Sequence, residues 1–441
     1  MNDLRSKNPQ IREQAARQSG QQRDHRAVEA LIQCLTDRVV RVQVAAAEAL
    51  GNIGDERAIP ALIASLNGDT YRLTEGDGSP GTYFEILKSA AFALGKIGSD
   101  PARQALLERY KSSDGSAVAA AVVGLGQIKD EHGLELILAA LRHRDHFVRL
   151  HAARVLGDWG DRRAVKPLIT ALKDTVWVVQ IAAAESLGTL RDARAAQSLQ
   201  AIYQDVTAYL PSSPNDEFWR TEISIHLRAQ AARGLALLND TRFESDFRTR
   251  IGLDRIIAAM GLAYRNDARG FETLLQAIYD KKQTALQIEA AKALAFLADP
   301  SVIPVFQALR VSRYIPVRVL DEINRLSAQL PTKTPQPAGW IRQQVHALLC
   351  GLLDNSVDVV TGCRRLTQLY HYGYTWIPSI FVGLDSELDI VPPPDTDHQW
   401  NPHALARKLE EAEPIIASYR SQAQAEARKV LDEYFSDSPC P

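Results

Sequence analysis

His143, His146 and His151 lie within nine residues and are the densest cluster of potential metal ligands in the chain. Three imidazoles hold a divalent cation only if they converge on one point. Their spacing does not impose that, because His151 falls inside an apolar helical pattern while the other two fall in the turn before it. A second donor-rich stretch runs from Asp385 to His398, with Asp385, Glu387, Asp389, Asp395 and Asp397. Oxygen-rich loops bind Ca²⁺ or Mg²⁺. No EF-hand spacing is present, so the stretch reads as a polar surface loop and cation binding there is left open. Phosphate loops of the GxxxxGK[ST] type, GxSxG nucleophile elbows, HExxH pairs and GxGxxG turns are all absent. The sequence therefore assigns no catalytic residue, no metal and no cofactor, and the chemistry to expect is surface recognition.

The elements that would position such a surface are visible as an internal repeat. A closing glycine recurs at Gly20, Gly51, Gly95, Gly126, Gly157 and Gly188, at intervals of 31 residues except for one of 44. Each unit reads as a helix pair. The first helix, as in Ala58 to Leu66, carries Pro60 near its start, where a missing N–H costs little. The second, as in Val42 to Leu50, carries paired alanines (Ala46-Ala47, Ala90-Ala91, Ala152-Ala153, Ala183-Ala184) that permit close helix approach. The glycine is expected to serve as a left-handed C-terminal cap. Neither helix buries its apolar face alone, so the pairs must stack.

This unit resembles the HEAT-like repeat named after phycobilisome lyases, with its VRxxAAxALGxIGDxRAxxxLI pattern, seen here in Val148 to Ile169. Six units from about Asn8 to Gln204 match well. Looser ones follow around Ala231-Ala232, Ala258-Ala259 and Ala290-Ala291, and a last fragment at Pro316-Val317-Arg318. The resemblance implies an all-α fold, a HEAT-like solenoid of about nine to ten helix pairs over residues 1–330. Pro331 to Pro337 is a stiff break, with the linker placed at 331–339, and residues 340–441 are expected to form a small, mainly helical domain. In that domain Val345, Leu348, Leu349, Leu352 and Leu353 form an apolar stripe, and a long helix opens after Asn401-Pro402, with Pro414 kinking or restarting it. The segment resembles a small class of uncharacterised bacterial helical domains sharing a GCRRL stretch, a GLDSE-like loop and a WNPxALARK helix start, which implies no activity.

The resemblance also implies that the second helices line a concave face. Stacking then sets equivalent positions side by side. One column reads Arg17, Glu48, Phe92, Val123, Arg154, Glu185; the slot three residues earlier reads Gln14, Ala45, Ser89, Ala120, His151, Ala182; a slot at the helix entrance contains Phe147, with Trp177 adjacent. An apolar strip of Phe92, Val123, Phe147 and Trp177, rimmed by Arg17, Glu48, Arg154 and Glu185 and passing His151, is the expected groove for a protein partner. A rotation of the helices by one position would turn some of these side chains inward. Trp159, standing where other repeats have Ile or Leu, is expected in the core. Two insertions, Gly68 to Tyr83 and Asp205 to Phe218, emerge between first and second helices and add Tyr71, Tyr83, Tyr209 and Trp219, aromatics of the kind that anchor interfaces.

Composition narrows the partner. With 51 Lys+Arg against 53 Asp+Glu the formal charge is −2, so there is no basic excess to neutralise phosphates, and nucleic acid is not expected. The longest apolar run, Ala117 to Gly126, is far short of the ~18 residues of a membrane span. The N-terminus is polar from the start, and Cys34, Cys350, Cys363 and Cys440 follow no pairing pattern, as in a reducing cytosol. The expectation is a cytoplasmic, non-enzymatic scaffold binding a protein. The alternative carried by the resemblance is a phycobilin lyase-like subunit handling a linear tetrapyrrole on a phycobiliprotein, with Phe92, Trp177 and Glu48 or Glu185 available to a bilin. HEAT-repeat di-iron hydroxylases carry His-Glu dipeptides on successive helices; this chain has none, and Glu131-His132 is the reverse order in an expected loop.

Overall fold

The computed structural model describes residues 2–70, 80–210, 217–279, 283–297, 302–311, 316–328, 339–355, 357, 362, 363, 366 and 402–434. Among them every regular element is a helix. The chain divides into two compact units, Met1–Thr241 and Arg242–Pro441.

The first unit starts with α1 (Pro9–Gln21) and continues as pairs: α2 (Val28–Cys34) with α3 (Val40–Ile53), α4 (Ile59–Leu66) with α5 (Pro80–Ile97), and α6 (Asp100–Tyr110) with α7 (Gly115–Ile128). Three more follow: α8 (Glu131–Ala140) with α9 (His146–Trp159), α10 (Val165–Ala171) with α11 (Trp177–Leu190), and α12 (Ala196–Gln204) with α13 (Glu217–Leu237). Each odd-numbered helix packs on the next odd-numbered one, forming an inner layer, and each even-numbered helix covers its partner from outside. The second unit repeats the plan with α14 (Arg242–Thr249) and α15 (Gly252–Tyr264), α16 (Phe271–Tyr279) and α17 (Thr284–Phe296), and α18 (Val302–Val311) and α19 (Val317–Ser327). It ends with α20 (Gly339–Asp354) packed on α21 (Pro402–Tyr434), which runs unbroken through Pro414. Val345, Leu348, Leu349 and Leu352 of the expected stripe are buried, and Gln424 Nε2 donates to the Leu352 carbonyl at 2.8 Å.

The closing glycines have another role than the expected cap. A Cβ on Gly51 would stand 2.8 Å from the Ala93 Cα, and one on Gly188 2.9 Å from the Gly234 Cα. These glycines are where neighbouring inner helices touch backbone to backbone. The left-handed caps come three residues later, at Gly54 (φ +77°) and Gly160 (φ +84°), and even at Lys129 and Arg191.

Two kinds of polar joint recur. In Asp-x-Arg turns, Asp55, Asp161, Asp192 and Asp267 each accept a hydrogen bond from the backbone N–H two residues on and are gripped by that residue's guanidinium. Arg57, Arg163 and Arg269 then reach back to Glu29, Glu131 and Glu244 of the preceding outer helix. Glu131 and His132 thus open α8 instead of lying in a loop. The second joint is deeper. Arg149 of α9 binds Asp174 through Nε and Nη2 at 2.7 and 2.8 Å and donates through Nη1 to the His143 carbonyl at 2.8 Å. Asp174 also accepts from the Val176 N–H at 2.9 Å, and its carbonyl accepts from Gln180 Nε2 at 2.8 Å. Arg12, Asp37, Val39 and Gln43 repeat this arrangement.

Cys34 and Cys363 are buried thiols, and burial, with Asp37 adding, pushes the Cys34 thiol up to about 11. Cys350, expected to be reduced, is disulfide-bonded.

Candidate partner-binding surface

Because equivalent residues of neighbouring inner helices lie side by side, the column that begins at Arg17 is a physical strip. Its N-terminal end is a mesh of ions: Arg17 Nη1 lies 3.5 Å from Glu48, and Glu13 holds both Arg17 (3.2 Å) and Arg41 (3.5 Å). Its far end is another, Glu185 with Arg233 of α13 at 3.1 Å. Arg233 was missed in the sequence because the insertion before α13 breaks the beat. Counting back three residues from Ala236, as from the other closing positions, finds it. Between the two ends stand Phe92 and Val123, both half-buried, and Arg154, exposed. Lys96 Nζ sits 5.1 Å from the centre of the Phe92 ring, a cation over an aromatic face, and bonds Asn52 Oδ1 at 2.7 Å.

The neighbouring slot is turned inward. Ala45, Ser89, Ala120 and Ala182 are buried and His151 is 8% exposed, while Gln14 is exposed; one residue earlier Glu13, Val44, Lys88 and Ile181 are half-buried, but Ala119 and Leu150 are buried. On α3, α5 and α11 the open face therefore lies one position before this slot, and on α7 and α9 both positions are closed. The small side chains at that slot fill the close contact between helices.

Phe147 and His151 are brought together with Phe84, a residue of α5. The Phe84 and Phe147 rings meet edge to face at 4.5 Å, and the His151 ring lies 4.7 and 4.8 Å from them. Phe84 belongs to α5 and Phe147 to α9, so the contact spans the inner helix between them, α7. Burial pushes the His151 imidazole down to about 4, with Arg154 and Lys88 adding repulsion. His143 accepts from the Asp145 N–H at 3.1 Å and His146 lies beside Asp145; the three histidines do not converge, and among the described residues no group of three His, Cys, Asp or Glu side chains is placed to hold a metal ion.

Trp177 and Trp159 are half-buried at opposite ends of their helices, Trp159 less enclosed than a core residue. At the insertions the inner helices themselves lengthen, α5 to 18 residues and α13 to 21. Tyr83 lies in the first turn of α5, and its hydroxyl donates to Asp114 Oδ2 at 3.1 Å; burial raises it above the ordinary phenol range. Tyr209 is half-buried, its carbonyl accepting from Gln180 Nε2 at 2.6 Å. Phe218 and Trp219 are 50% and 43% exposed and touch edge to face at 5.7 Å. Tyr71 and the acidic stretch 385–398 lie outside the described residues.

Stacked helix pairs joined by recurrent Asp-x-Arg turns define an all-α solenoid protein. A family model of HEAT repeats matches residues 2–76 and 134–210, and one of the PBS lyase HEAT-like repeat matches 86–112 and 117–143, so the chain carries HEAT-like repeats of the phycobilisome-lyase type. None of the curated proteins matches it. Among solved structures it is similar to the complex of CpcE and CpcF of phycocyanin lyase from Nostoc sp. PCC7120, at 22% identity over 54% of this chain and 91% of that one, with a TM-score of 0.32. Human deoxyhypusine hydroxylase in complex with glycerol is similar at 17% identity over 64% and 99%, with a TM-score of 0.28. Kap95p, in a complex with RanGDP, is similar at 16% identity over 99% and 64%, with a TM-score of 0.35. No helix among the described residues is long and apolar enough to cross a membrane.

Proposed function

We propose that this chain is a non-enzymatic protein-interaction scaffold, and that the strip of inner-helix side chains from Arg17 to Arg233 is its docking surface. The observation that carries this is the arrangement of the strip: ion pairs at both ends, and at its middle two half-open apolar side chains, Phe92 and Val123, on adjacent helices. An apolar centre inside a charged rim is the anatomy of an interface. The exposed Phe218 and Trp219 at the start of α13 are a second anchor of the same kind. The alternative, work on a linear tetrapyrrole, rests on the repeat relation. It calls for aromatic groups gathered in one cleft, and Phe92 on α5 and Trp177 on α11 have α7 and α9 between them, so the geometry favours the scaffold.

The test is site-specific photocrosslinking in source cells, with a photoreactive amino acid placed at Phe92, at Val123 or, as an outer-layer control, at Glu135. Discrete protein adducts from positions 92 and 123 but not from 135 are expected. Adducts from 135 alone, or none from the inner positions, overturn the assignment.

A further inference from the structure

The ends of the strip are self-neutralised, but its middle is not, and this difference specifies the occupant. Arg17, Arg41 and Arg233 all have carboxylate partners. Lys88, on the same face, is held by Glu85 at 2.7 Å. Lys96 and Arg154 are different. Both are exposed, Lys96 bonds only the neutral amide of Asn52, and neither has a carboxylate within ion-pair distance among the described residues. They flank Phe92 and Val123, Lys96 one turn along α5 from Phe92 and Arg154 in the next equivalent position beyond Val123. The nearby acids are Asp158, one turn after Arg154, whose carboxyl burial and Glu185 hold above the ordinary range against the pull of Lys129 and Arg154, and Glu185 itself at the next equivalent position, which is paired with Arg233.

Charge limits the partner. Phe92 and Val123 present two apolar points on adjacent inner helices, which approach closely where Gly95 meets Gly124. Lys96 and Arg154 stand on either side of this pair. We infer that the centre of the strip binds an acidic segment of a partner protein, with apolar side chains over Phe92 and Val123 and carboxylates facing Lys96 and Arg154. This rests on the strip being the docking surface.

The experiment uses the full chain and two fluorescein-labelled designed peptides, read by anisotropy. One carries leucines flanked by glutamates. The other replaces those glutamates with lysines. The acidic peptide should bind, and the basic one at least tenfold more weakly. A Lys96→Glu/Arg154→Glu variant should reverse the charge preference at unchanged thermal melting. Equal binding of acidic and basic peptides, or an unreversed preference in that variant, overturns the inference. In that event Phe92→Glu separates the two levels of argument: if it abolishes binding of both peptides, the strip stands and the acidic partner falls; if it leaves binding intact, the strip falls as well. Failure of the acidic peptide to bind at all also overturns the inference, and the crosslinks from position 92 then judge the strip independently.

Discussion

Asp174→Ala removes the acceptor at the centre of a joint that ties α9 to the turn before α11. The Asp174 and Arg149 side chains are only 9% and 13% exposed, so the guanidinium left behind is poorly reached by water. Removing one partner of a buried pair costs roughly 3–5 kcal/mol. Here Arg149 keeps the carbonyls of His143 and Arg144, which lowers the charge penalty, while loss of the bond from the Val176 N–H adds part of a cap's worth. The expected net cost is about 3 kcal/mol. For a unit of this size that is a fall in Tm of roughly 6–12 °C. Arg149→Met leaves Asp174 with its backbone N–H and should cost less, about 1–2 kcal/mol. The informative quantity is the cycle of both singles and the double, measured by urea denaturation with far-UV circular dichroism. The double should be less costly than the sum of the singles by at least ~1 kcal/mol, because removing Arg149 also removes the stranded charge. Additivity within ~0.5 kcal/mol would refute the claim that the two groups act as one buried pair. The same sign is expected for Arg12 and Asp37.

His151 gives a pH signature. Its folded value, about 4, lies below that of an unfolded histidine, so between about pH 6.5 and 4 the unfolded chain binds the extra proton. Stability is then unaffected above pH 6.5, falls as pH drops through that window and levels below it, by up to ~3 kcal/mol; His151→Leu should lack this fall in a difference plot, and parallel pH profiles for the two proteins would contradict it. Gly51→Ala sets intrinsic helix propensity, worth ~1 kcal/mol in favour of alanine, against a Cβ 2.8 Å from the Ala93 backbone. Contact should win with a net loss of about 1–2 kcal/mol, checked by thermal melting, and a stabilised variant would mean that the inner helices do not meet there. Tyr83→Phe removes the bond to Asp114 and should lower stability by about 1 kcal/mol without changing capture at Phe92; lost crosslinking in that variant would make the α5 entrance part of the docking surface.

The beat of 31 residues was legible because it has a simple cause. Where two inner helices approach this closely one partner of each contact is a glycine, facing residues as different as Ala93, Val155 and Ser186, so contact geometry appears directly as a repeated residue type, and the same columns gave Arg17, Glu48, Phe92, Val123, Arg154 and Glu185 as neighbours. The role of that glycine was less legible, because close approach and a left-handed cap both favour glycine; only the second glycine, three residues on, separates the two uses, and Lys129 and Arg191 show that the cap tolerates other residues. Helix rotation was uncertain by one position for a related reason. An alanine-rich slot is equally compatible with an open floor and a buried seam, so His151 was placed on the right helix and in the wrong surroundings to be an open contact. What no single repeat contains is the contact of Phe84 with Phe147, which joins α5 to α9 across the helix between them. The proposed docking surface is of this second kind. Lys96, Phe92, Val123 and Arg154 come from three successive inner helices, and it is their joint spacing and uncompensated charge, not any residue in one repeat, that would select a partner.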